Sequence, residues 1–126
     1  EQDPIGALER TVGFIEAAAR ERGIAGAVQA SFGVTDGTTL WAVRYATQGP
    51  ARTLFASSDA DAIKQLHPDN PRLARMSSED RLIVSEPFSD LPGVWHEIPQ
   101  ATAVTVRRGG VLEKRPFRPA PVPSTA

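Results

Sequence analysis

The sequence predicts an α+β domain built mainly from antiparallel sheet. Three observations carry this: an apolar helical stripe at the start, β-type runs joined by turn sequences, and strands that cluster instead of alternating with helices. The helix comes first. Asp3 is placed to cap free backbone amides, and Pro4 at the first helical position costs no hydrogen bond. Ile5, Leu8, Val12, Ile15 and Ala19 recur at helical spacing, with Glu9 off that stripe. Arg20, Glu21 and Arg22 end the run, and Gly23 suits a left-handed C-terminal position. Gly13 weakens the helix unless another element packs closely against it.

Ala27 to Val34 and Thr39 to Thr47 then read as a hairpin around Thr35-Asp36-Gly37-Thr38. In the second run Leu40, Ala42, Arg44 and Ala46 share one face, and Trp41, Val43 and Tyr45 share the other. Gln48-Gly49-Pro50 breaks the strand, and Arg52 to Ser57 reads as a third. Asp59 to Leu66 suits a short helix, which Pro68 and Pro71 interrupt. Arg81 to Ser85 reads as a short strand stopped by Pro87, followed by a loop through Gly93. Ala101 to Arg107 and Val111 to Lys114 form a second hairpin around Arg108-Gly109-Gly110. Residues 1–115 make one domain, and the proline-rich stretch 116–126 reads as a tail with little that packs. Several strands are apolar on both faces, which two helices cover thinly and which points to a further layer.

The balance of 14 basic and 15 acidic residues, a net charge of -1, gives no electrostatic reason to expect nucleic acid or a membrane surface as partner. No apolar run reaches the ~20 residues that span a bilayer. The chain has no cysteine, so disulfides, thiolate metal sites and cysteine nucleophiles are excluded within it. It begins at Glu1 and its only methionine is Met76, which reads as a trimmed or excised polypeptide. The expected setting is the cytoplasm.

Five segments in order carry a resemblance. Thr35-Asp36-Gly37 with Leu40-Trp41-Ala42-Val43-Arg44-Tyr45 resembles a hairpin in the later half of class II glutamine amidotransferases, particularly the small stand-alone bacterial branch. Arg52-Thr53-Leu54-Phe55 is similar to the strand that follows there, and Val84-Ser85-Glu86-Pro87-Phe88 to its "ASEPL"-type strand end. Trp95-His96-Glu97-Ile98-Pro99 and the hairpin from Val106 to Val111 resemble its closing segments. The resemblance implies half of a four-layer αββα sandwich of the N-terminal-nucleophile hydrolase type, with this chain completing one sheet and one helix layer. It implies a parent activity, hydrolysis of glutamine to glutamate and ammonia, with the ammonia passed to an acceptor. That chemistry uses an N-terminal cysteine whose α-amino group, titrating near pH ~8, takes the thiol proton. The family's nucleophile and glutamine-binding residues lie in its first half and match nothing here. No catalytic residue, metal or cofactor is therefore assigned, substrate-binding residues are unassigned, and the expected partner is an N-terminal half bearing the cysteine. Two rival readings stand beside this one: a γ-glutamyl amide hydrolase of the ergothioneine-biosynthesis type, and a non-enzymatic β-rich binding module.

Some residues invite chemistry and have plainer explanations. His67 and His96, the only histidines, lack ligand spacing and read as exposed loop residues before metal ligands. Glu86 before Pro87 reads as turn hydrogen bonding before acid–base catalysis. Arg44 suits a partly buried ion pair better than a carboxylate ligand. Trp41 and Tyr45 share a face as core residues do. Arg107-Arg108 is too short for a nucleic-acid patch, and Gly109-Gly110 lacks the strand-to-helix setting of a phosphate loop.

Overall fold

A computed structural model of the chain describes residues 3–90 and 92–120. Helix α1 runs Pro4–Glu21, and the Asp3 carboxylate accepts the Gly6 amide at 3.0 Å, the cap the sequence predicts. Strands β1 (Gln29–Thr35) and β2 (Leu40–Ala46) form the first hairpin, and β3 (Phe55–Ser57) follows. Helix α2 spans Ala60–Leu66, with Asp59 capping it through the Ala62 amide. Pro71, expected only to interrupt, opens a one-turn helix α3 (Pro71–Ala74), because the Asn70 side chain accepts the Arg72 and Leu73 amides. Strands β4 (Ile83–Val84), β5 (Trp95–Glu97), β6 (Thr102–Val106) and β7 (Leu112–Pro116) complete the described chain.

The strands form two sheets, ordered β1-β2-β6-β7 and β4-β3-β5, and every pairing is antiparallel. The architecture is α+β, as the sequence indicates. Strand β5 lacks the alternation that reveals the hairpins, and its pairing with β3 links Trp95 to Ser57 across a long stretch of chain.

Both faces of the larger sheet are covered. On one face Val43 and Ala103 pack with Ile5 and Val12 of α1, with Trp41 and Tyr45 against the same cluster. On the other, Ala42 and Val104 meet Leu54, Ala56 and Ile98, so the second sheet's segments close the opposite side. Helices α2 and α3 bury Ile63 and Leu73 with Val94, beside Leu82 and Trp95 at the starts of β4 and β5. The expectation that the chain supplies one sheet and one helix layer is thus corrected. It contributes to both sheets and puts helices on both sides. Strands apolar on two faces reflect this stacking within the chain and do not of themselves require an absent layer.

The expectation that the stretch from Pro116 packs little is also corrected, for residues 116–120. Pro116 ends β7, and Phe117 is 2% exposed in the core under α1. The Arg118 amide donates to the Glu9 carboxylate at 2.7 Å, and the Ala120 amide to the Glu9 carbonyl at 2.9 Å. Glu9, off the apolar stripe by sequence, is therefore a docking residue. Residues 121–126 lie outside the described residues.

This strap explains Gly13. A Cβ at that position would collide with the backbone of Ala120. Alanine is the better helix former by about 1 kcal/mol, yet here it has to push the strap away. Gly13→Ala is expected to destabilise the chain, which urea denaturation reads directly. A raised midpoint would show that residues 118–120 do not pack against α1 in this way.

Along α1 the buried positions are Ile5, Gly6, Val12, Gly13, Glu16 and Ala19, whereas Ile15 of the predicted stripe is 44% exposed. Glu16 replaces it on the buried face because the Tyr45 hydroxyl donates to its carboxylate.

Candidate functional site

Two polar constellations tie the two sheets together, and a third lies within the smaller sheet. The first centres on Arg44 of β2, 5% exposed on the face toward the smaller sheet. One terminal nitrogen donates to Glu97 Oε2 at 2.9 Å and to the Ile98 carbonyl at 2.6 Å. The other donates to the Ala51 carbonyl at 3.2 Å, while the Ala51 amide is held by Gln100 Oε1 at 2.9 Å. Arg44 therefore makes the partly buried ion pair expected of it, with its guanidinium turned onto protein groups. Its Nε has no partner among the described residues.

The second constellation sits at the Gly109-Gly110 turn. Both glycines have positive φ, 80° and 75°, and a Cβ on Gly110 would collide with the Glu79 carbonyl. Arg81 donates to the Gly110 carbonyl and, at 2.9 Å, to the Ser57 carbonyl. These glycines serve the tight turn that the sequence indicates, and Gly110 also allows a close backbone approach that the sequence does not reveal. Arg107 pairs with Glu113 at 2.9 Å on the exposed hairpin.

The third is a hydroxyl–imidazole pair that sequence reading misses. Ser58 Oγ and His96 Nε2 lie 2.9 Å apart, joined across 38 positions by the β3–β5 pairing. The Ser58 hydroxyl also donates to the Gly93 carbonyl at 2.7 Å. Together these contacts pin the end of β3 to β5 and to the loop before it. His96 is exposed as expected but belongs to strand β5 and not to a loop.

His67 caps the C-terminus of α2 and is half-buried, its ring edge-on to Phe88 at 6.0 Å. Its Nε2 is buried without a partner among the described residues. Among those residues no group of three or more His, Cys, Asp or Glu is arranged to hold a metal ion. Glu86 is exposed in the loop after β4.

Trp41 and Tyr45 lie on the face under α1, as core packing predicts. Tyr45 stacks at a tilt on Phe117, ring centroids 5.3 Å apart. Burial, and then the Glu16 carboxylate at its hydroxyl, pushes the phenol up to about 12 from an ordinary 10.0. A raised phenol stabilises the fold fully below pH 10, and that contribution is lost as pH climbs from 10 toward 12. The urea midpoint of the wild type is expected to fall more steeply over that window than that of Tyr45→Phe. Parallel profiles would show that Tyr45 has no part in the loss.

No protein-family model matches the chain, and no curated protein matches it either. Among solved structures it is similar to a glutamine aminotransferase class-II domain protein from Silicibacter pomeroyi, with 29% sequence identity and a TM-score of 0.72. The match covers 94% of this chain but 45% of that one, so this chain spans less than half the neighbour's length. No helix of the described residues is long and apolar enough to cross a membrane. The two antiparallel sheets with their flanking helices, in the neighbour's arrangement along nearly the whole chain, make this a class II glutamine amidotransferase-like fold.

Proposed function

We propose that this chain is the C-terminal portion of a class II glutamine amidotransferase unit. In this reading the complete unit hydrolyses glutamine to glutamate and ammonia and delivers the ammonia to an acceptor. The carrying observation is the extended similarity to the Silicibacter pomeroyi protein, 94% of this chain against 45% of that one. Its polar constellations fit the same division of labour: Arg44, Arg81 and the Ser58–His96 pair all brace the sheets.

The nucleophile comes from elsewhere, since the chain has no cysteine. A partner portion bearing an N-terminal cysteine supplies the thiolate and its α-amino base, and this chain supplies the sheets against which they are held. A cytoplasmic setting belongs to the same reading. The test is direct. The purified chain alone is expected to release no glutamate from glutamine above a buffer control, and adding a cysteine-bearing N-terminal portion is expected to establish hydrolysis. Turnover by the chain alone, or none after the portions associate, would overturn the proposal.

A further inference from the structure

The two outer strands of the larger sheet differ in kind. Strand β7 ends the sheet with Glu113, Lys114, Arg115 and Pro116, the residue types that prevent a further strand from adding. Strand β1, at the other edge, is Gln-Ala-Ser-Phe-Gly-Val-Thr, without a charge or a proline. Among the described residues no strand pairs with its outer edge.

Gly33 lies in the middle of β1, where glycine weakens a strand. Nothing among the described residues asks for it. Its φ is not in the left-handed region, and a Cβ there would meet no atom within 4 Å. A strand glycine with neither a conformational nor a packing reason marks a place where another backbone or side chain comes close.

The space it leaves opens into a groove of about 260 Å³ between β1 and β4, the outer strand of the smaller sheet. Leu40, Ala42, Leu54 and Ile83 line it, and Ala42 and Leu54 with Ile83 belong to the cluster between the sheets. The groove is the open side of that interior.

We infer that the β1 edge is the joint at which an extended, apolar-alternating segment of the complementary portion adds to the larger sheet. Its inward side chains fill the groove over Gly33. This rests on the proposed function for the existence of that portion, and more than half of the Silicibacter pomeroyi chain has no counterpart here to supply it. Main-chain pairing along β1 gives the affinity, and alternate side chains reaching Leu54 and Ile83 set the register.

The probe is the part of the Silicibacter pomeroyi protein outside the matched region, expressed separately and mixed with the full 126-residue chain. Binding is read by titration, and protection of β1 by amide exchange with mass spectrometry. The complex is expected to protect amides of Gln29–Thr35. Gly33→Val is expected to keep or raise the urea midpoint of the free chain, since its Cβ enters open space. The same variant should weaken binding by about tenfold or more, because the methyls occupy the partner's place. Ser31→Lys, an exposed change on the same strand, serves as a second variant and is expected to weaken binding similarly by charging the edge. A complex that leaves β1 unprotected and tolerates both variants overturns the joint while leaving the proposed function standing. Failure of the wild-type chain to form any complex, with no glutamate released, overturns the proposed function and the joint with it.

Discussion

Phe117→Ala is expected to lower the stability of the chain by about 3–5 kcal/mol, the usual cost of emptying a phenylalanine site in a core. The ring is 2% exposed and shares its cluster with Ile5, Val12, Val43 and Ala103. It lies against Tyr45, so its loss also loosens the phenol that satisfies the buried Glu16 carboxylate. The cavity has little means of closing by relaxation, because the Phe117 amide is fixed to the Ala101 carbonyl at 2.8 Å and the next residues are strapped to Glu9. A domain's whole stability is about 5–15 kcal/mol, so this one change removes a large share of it. Urea midpoints compare it with Phe88→Ala, whose ring is 48% exposed and whose loss should cost far less. Equal midpoints for the two variants would show that residues 116–118 are the tail the composition suggests.

Local signals were the legible ones. Asp3-Pro4 announces α1 because a cap and its amide are three residues apart, and Asp36-Gly37 announces the first turn for the same reason. The alternation in β2 assigns Arg44 and Tyr45 to opposite faces, and both carry the roles that their faces imply. Features held by partners far away in the chain are the ones the sequence conceals. Phe117 sits between prolines and looks solvated until Ala101 and Tyr45 are brought to it. Strand β5 is too short to show a period, and only its pairing with β3 makes it a strand. The division into two sheets arises from those pairings, so a strand apolar on both faces suggested an absent layer where the chain supplies its own. At the Ser58–His96 pair neither residue carries a local motif, and the contact exists only through β5.

Arg44→Ala is expected to cost roughly 3 kcal/mol, within what two buried acceptors left without donors cost together. The reason is not the ion pair as such. Glu97 keeps 54% of its side chain exposed, so water takes over its carboxylate when the guanidinium leaves, and such half-solvated pairs contribute at most about 1 kcal/mol. The carbonyls of Ile98 and Ala51 have no such recourse. Both face the arginine between the sheets, and each buried acceptor left without a donor costs about 1–3 kcal/mol. Ala51 is itself 6% exposed and already fixed through its amide to Gln100, so the segment cannot simply turn its carbonyl outward. Glu97→Gln, which removes only the charge, should therefore shift the urea midpoint much less than Arg44→Ala, and raising the salt concentration should leave the gap between the variants in place. If the two substitutions cost the same, or if salt closes the gap, the ion pair and not the pair of carbonyls holds the sheets at this end.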